Sequence, residues 1–309
     1  MSLTIVMYHY VRDLARSRYP AIKGRDIQSF RRQMDYLAHH YKVVTAEQVV
    51  AAAHGDGVLP ENAAWLTFDD GYMDHYQVVF PLLHERGWQG SFFPPARAVA
   101  NRELLDVNRI HFVLASTSDH QSLVTEIRAF VAAHQGVNGV RTFEDYWTEL
   151  AHASRLDSEV VIFIKRMLQH ALPEDLRHEL ATRLFKQFVG IDEAAFAHEL
   201  YMSPDQLRMM IRCGMYVGSH GAAHYFMDRL EPAKQADEID ASLAFLNDLG
   251  ASTNGWVMCY PYGVYNQTLL ELLKERSCAV GVTTKVEVAR LGHDHALTLP
   301  RLDTNDLPG

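Results

Sequence analysis

Two adjacent carboxylates, Asp69 and Asp70, and two histidines four apart, His220 and His224, have the types and spacing that chemistry needs. The acids end an apolar run, Ala63-Ala64-Trp65-Leu66-Thr67-Phe68, and precede Gly71 and Tyr72. That pattern predicts a buried strand closing at Phe68 and a tight turn after it. Neighbouring acids at a strand end can divide the work: one binds a metal while the other stays free to move a proton. A solvated Asp-Asp-Gly turn is the plainer alternative. His220 and His224 follow a second predicted strand, Met215-Tyr216-Val217-Gly218-Ser219. Among the 17 histidines they are the only pair separated by three or four positions, and the Gly-Ala-Ala between them leaves room for an ion. Together these signals predict a two-histidine, one-carboxylate site with Asp70 as the acid, a donor set shared by hydrolytic zinc enzymes and non-haem iron oxygenases. Asp69 favours hydrolysis, because a water activated by a metal needs a base. The His-x-Asp pair on one strand that is typical of the oxygenases is missing.

The elements that must position these residues alternate. Leu3–Tyr8 reads as a strand ending at His9, and Phe30, Met34 and Leu37 mark a helix over 27–39. A short strand at Tyr41–Thr45, a helix at Ala46–Ala53, the central strand, a helix over Asp74–Arg86 and a strand over Gly90–Phe93 follow. This βα alternation with short loops predicts parallel strands in a barrel or a doubly wound sheet. From Asn101 to Cys213 it gives way to six predicted helices, two of them opening on Pro173 and Pro204 at tolerated first-turn positions. Asp106–Phe112 reads as the hinge into this segment, and His111 is given no ligand role. The βα pattern then resumes, with strands at Trp256–Cys259 and Cys278–Thr283, helices at Pro232–Leu249 and Asn266–Arg276, and Ala296–Leu299 as the last strand. The expected organisation is a barrel from 1–100 and 214–309 with an all-helical insertion over 101–213.

Composition narrows the class. With 309 residues, 48% of them hydrophobic, the chain can bury a large core. A net charge of −9 argues against nucleic acid or an anionic membrane surface as partner. No apolar run reaches membrane-spanning length, and Met1–Tyr8 lacks the cationic head of a signal peptide. Cys213, Cys259 and Cys278 are odd in number and far apart, which fits a reducing, cytoplasmic setting.

Thr67-Phe68-Asp69-Asp70-Gly71-Tyr72, Ser219-His220-x-x-x-His224 and Tyr260-Pro261-Tyr262-Gly263 together resemble the polysaccharide deacetylase (NodB-homology) family of carbohydrate esterases. The opening Tyr8-His9-x-Val11, with Ser91-Phe92-Phe93, is similar to the branch whose members begin Tyr-His-x-Val. The resemblance implies an irregular (β/α) barrel of the α/β class, interrupted here by the helical segment. It implies a divalent metal on Asp70, His220 and His224, Zn2+ before Co2+, Mn2+ or Ni2+. It makes Asp69 the base acting on a water held by that metal, and the backbone N–H of Tyr262 a donor to the oxyanion. Tyr72, Pro261, Tyr262 and His9 are expected to line the substrate site.

The chain departs from the family pattern twice. Cys259 stands where an arginine usually steadies the base, and the C-terminal Leu-x-x-His, whose histidine protonates the leaving amine, has no clean match. His293 and His295 lie in a polar Gly-His-Asp-His loop and read as solvated. Arg301, after the last apolar run, is a candidate replacement for the arginine, and Asp69 can return the proton itself. The expected function is a metal-dependent hydrolase that removes an N-acetyl group from an amino sugar or polysaccharide precursor. Rival readings are a deformylase or other amide hydrolase on the same barrel, and a non-catalytic carbohydrate-binding relative. The sequence leaves the oligomeric state open.

Overall fold

Side-chain alternation along the strands sorts apolar residues between the inside and the outside of a ring, and this sorting closes the barrel. The structure is a computed structural model that describes residues 1–155 and 157–308. Its strands are β1 Ser2–Tyr8, β2 Val11–Arg12, β3 Arg25–Asp26, β4 Lys42–Val43, β5 Ala63–Asp69, β6 Ser91–Phe93, β7 Tyr216–Val217, β8 Trp256–Cys259, β9 Cys278–Val282, β10 Ala289–Arg290 and β11 Leu302–Asp303. Its helices are α1 Ile27–His40, α2 Ala46–His54, α3 Phe80–Glu85, α4 Ala96–Ala100, α5 Asp106–Ser116, α6 His120–His134, α7 Phe143–Leu150, α8 Glu159–Arg166, α9 Glu174–Phe188, α10 Glu193–Leu200, α11 Pro204–Arg212, α12 Pro232–Leu249 and α13 Gln267–Glu275.

β1 pairs in parallel with β5, β5 with β6, and β6 with β7. Ser219 bridges to Met258 in β8, β8 pairs with β9, and Val282 of β9 bridges to Leu299, all in parallel. β11 then returns to β1 at Val6 and Met7 and closes the ring. Leu3, Ile5, Ala63, Trp65, Phe93, Val257, Cys259, Val280 and Val282 share the inner cluster. Their neighbours Val6, Tyr8, Ala64, Leu66, Phe68 and Phe92 point outward and pack with α1, α3, α11 and α12, as period-2 alternation requires. This is a (β/α) barrel, and its strands end at one mouth, where such folds carry their chemistry.

The chain forms two compact units, Met1–Asp13, Gly24–Glu103 and Ala197–Gly309 in the first, Leu14–Lys23 and Leu104–Phe196 in the second. The first holds the barrel. The second is helical: Phe112, Phe185 and Phe196 meet edge to face in its core, and Tyr19 reaches Phe112 and Phe196 from the short Leu14–Lys23 segment. Arg109 is buried there, bonded to Asp106 and to both oxygens of Glu193.

Several local expectations need correction. Asp106–Phe112 is no hinge but the start of α5, whose Val107, Ile110 and Val113 are buried. Ala197–Cys213 falls in the barrel unit and not in the insertion, because Met202 and, on α11, Leu207 and Met210 pack with Phe68 and Phe92. The helix expected over 74–86 opens as a π-helical turn, His75–Val79. Ala296–Leu299 is a 3₁₀ turn plus the Leu299 bridge, and the closing strand is β11. No helix among the described residues is long and apolar enough to cross a membrane.

Candidate active site

β5 delivers the two carboxylates in opposite senses. Alternation turns Thr67 and Asp69 to the inner face with Trp65, while Phe68 faces out. The chain then breaks direction. Asp70 takes φ +74° and Gly71 φ +69°, and a Cβ at Gly71 would lie 2.7 Å from Cβ of Pro94. Glycine is required there, and the left-handed backbone of Asp70 is strained for a residue with a Cβ.

The two carboxylates have unlike partners. Asp69 accepts from Nη1 of Arg301 at 2.9 Å and from Nη2 at 2.8 Å, a bidentate clamp. Arg301 is 0% exposed and is itself held through Nε to the Thr283 carbonyl at 2.8 Å and through Nη1 to Oγ1 of Thr67 at 3.1 Å. Burial pushes the Asp69 pKa up, but Arg301, with His9 and His220, outweighs it and holds it at about 2. Among the described residues, Asp70 has no arginine or lysine beside it. Its Oδ2 accepts from the Tyr72 hydroxyl at 2.7 Å, while Oδ1 lacks a hydrogen-bond partner and faces Nε2 of His220 at 3.4 Å and Nε2 of His224 at 3.3 Å.

The histidines are oriented by the loop after β7. Nδ1 of His220 donates to the Cys259 carbonyl at 2.7 Å, which turns Nε2 to Asp70 as the ring atom available to a cation. His224 sits at φ +59°. Between them, the N–H groups of Ala222 and Ala223 both donate to Oε2 of Glu238 at 2.9 Å, so a buried carboxylate of α12 braces the loop. Burial disfavours the His220 imidazolium, yet the Cys259 and Asp70 contacts lift its pKa well above the usual range. Burial instead lowers the His224 pKa, more than its contact with Asp70 raises it. Asp69, His220 and Cys259 also lie within reach of a common ion. That grouping suits a cation poorly, because both Asp69 oxygens are engaged by Arg301 and burial keeps the Cys259 thiol protonated.

The remaining candidates separate. His9 follows β1 with its side chain 36% exposed and Nε2 3.8 Å from Oδ2 of Asp69. Its carbonyl accepts from Nε2 of the buried His75 at 2.8 Å. The Tyr262 ring, at φ +59°, meets His224 edge-on at 4.6 Å and stacks on Phe226 at 3.8 Å; Pro261 is buried beside it. Tyr72 does not line a substrate surface. It is 0% exposed, with its hydroxyl spent on Asp70, because the turn at Gly71 folds it back behind the carboxylate. His293 and His295 bond within their own turn, to Asp294 and the Leu297 N–H.

Sequence reading missed Glu238, Thr283, Phe226 and His75. Glu238 had a signal, since it lies on the buried stripe of α12 with Gln235, Ile239, Ser242 and Leu246. A charge on an apolar stripe requires a partner. The others had none.

The sequence profile of the polysaccharide deacetylase family matches residues 56–134 and 182–280. Over 91 residues the chain is 34% identical to poly-beta-1,6-N-acetyl-D-glucosamine N-deacetylase of Escherichia coli (strain K12), a match covering 29% of this chain and 13% of that protein. The chain therefore spans only a small part of that relative's length. Among solved structures, the Streptococcus pyogenes deacetylase PplD in complex with acetate aligns over 100% of this chain and 94% of its own, with TM-score 0.61 at 17% identity. IcaB from Ammonifex degensii aligns over 98% and 91%, with TM-score 0.58 at 20% identity. At such identities the likeness is one of fold.

Proposed function

The chain belongs to the polysaccharide deacetylase family, and from that premise we propose that it is a metal-dependent hydrolase removing the N-acetyl group of an N-acetylated amino sugar or its polymer. The observation that carries this reading is the unlike pairing of Asp69 and Asp70. Asp70, His220 and His224 offer three converging donors and would hold a divalent cation, with Zn2+ the best match to two imidazoles and one carboxylate. Bound there, such an ion supplies Lewis acidity, polarising an amide carbonyl and making water more acidic.

The chain's own groups do the proton work. Asp69, ionised at any working pH, accepts a proton from the attacking water, and the two Arg301 N–H groups keep its carboxylate aimed and share its charge. Cleavage of the C–N bond leaves an amine that needs a proton. His9, partly exposed and facing Asp69, is placed to donate it, a role beyond the substrate contact expected from sequence. The Tyr262 backbone N–H is assigned to the oxyanion, and the Tyr262 ring, backed by Phe226, walls the acyl group. The experiment is acetate release from N-acetylglucosamine oligomers by wild type and Asp69→Asn, with metal content measured in both. General-base catalysis is worth about 10²–10⁴-fold, and hydrolysis should fall by that factor while metal content holds. Equal rates remove Asp69 from the reaction, and no acetate from any oligomer overturns the reading.

A further inference from the structure

Asp69 and Asp70 are adjacent and both buried, yet only Asp69 is paired with a permanent cation. Asp69 faces a guanidinium. Asp70 faces a phenol, and a phenol satisfies one carboxylate oxygen while leaving the negative charge in place. A lysine or arginine at position 72 would satisfy Oδ2 equally well but would repel a divalent cation. Tyr72 is also fixed in place. Its ring stacks on Tyr10 at 4.0 Å between centroids and lies parallel to Tyr201 at 6.4 Å. Its backbone forms a bridge with Tyr201, and the Met202 N–H donates to the Gly71 carbonyl at 3.0 Å. The hydroxyl therefore reaches Asp70 from a frame that does not depend on the metal.

We infer that Tyr72 is the positioning residue of the cation site: its hydroxyl pins Oδ2 of Asp70 so that Oδ1 stays turned to His220 and His224 with its charge undiminished. The inference rests on the proposed metal site and assigns a determinant of its affinity. Partners of this kind behind a ligand are typically worth about 10–100-fold in metal affinity.

The test is Tyr72→Phe, which removes one oxygen and keeps the ring in its stack. Zn2+ affinity is measured on metal-stripped protein by competition with a chromogenic chelator, with no substrate present. The expected result is a 10–100-fold weaker dissociation constant and a metal-free thermal midpoint close to wild type. Tyr10→Phe, which leaves the Tyr72–Asp70 bond in place, should weaken Zn2+ by a smaller factor, since Tyr10 also bonds the Tyr72 side chain. A Tyr72→Phe protein that folds and binds Zn2+ within threefold of wild type overturns the inference and leaves the metal site standing. Should metal-stripped Tyr72→Phe not fold, the variant is prepared with Zn2+ bound and its rate of Zn2+ loss to excess chelator is compared with wild type; a loss rate within threefold of wild type overturns the inference. Wild type that fails to bind one Zn2+ removes both the inference and the site beneath it.

Discussion

His75 should make the barrel acid-sensitive in a window that can be stated in advance. It is fully buried behind the site, and its ring packs against Phe68 at 5.7 Å, Tyr72 at 5.6 Å and Phe92 at 5.8 Å. Burial pulls its pKa down from 6.5 to about 4, more than the His9 carbonyl bond and the charges of Asp70 and Asp69 push it up. A depressed histidine pKa means that the unfolded chain binds a proton which the folded chain refuses. The full stability is present above pH 6.5, and it is lost as pH falls towards 4. At about 1.4 kcal/mol per pH unit the loss over that window is roughly 3 kcal/mol, a large share of the ~5–15 kcal/mol of a typical domain. His75→Gln keeps an N–H for the His9 carbonyl and cannot titrate. Urea unfolding of metal-stripped wild type and variant from pH 8 to pH 4, followed by the fluorescence of the buried Trp65 and Trp256, measures the difference. Other acid-labile groups cancel between the two proteins. The gap in unfolding free energy should shift by roughly 3 kcal/mol in favour of the variant as pH falls. Parallel curves would refute the reasoning.

Arg301→Met leaves Asp69 buried without a countercharge, which typically costs about 3–5 kcal/mol. The Asp69 pKa should rise from about 2, so the acid side of the pH–rate profile moves to higher pH; an unchanged profile and stability would mean that the clamp is idle. His224→Ala should reduce Zn2+ content well below one per chain, read by elemental analysis, with the metal-free urea midpoint close to wild type. Full occupancy in that variant would place the ion elsewhere.

The sequence by itself determined the class of fold and the kinds of residue that meet. Strand period, helix period and turn chemistry are local, so the βα alternation and the acids at the end of β5 could be read along the chain. The break at Gly71 was equally legible, because a glycine after two acids marks a tight turn; its closeness to Pro94 was not. Partnership was legible only as an expectation, since Arg301 was a candidate to steady Asp69 because Cys259 stands where the family pattern has its arginine. Arg301 and Asp69 are 232 positions apart, and nothing local says which of many arginines will neutralise a buried acid. That choice was made when β11 closed the ring on β1 and carried Arg301 inside. Tyr72 looked like a substrate contact because it follows the motif; the left-handed turn at Asp70 and Gly71 folds it back instead. The end of the insertion was hidden for a similar reason. An amphipathic helix such as α11 looks the same on any core, and only the packing of Leu207 and Met210 with Phe68 and Phe92 assigns it to the barrel. Local chemistry chose the donors, and closure of the barrel decided which acid would be neutralised and which would keep its charge.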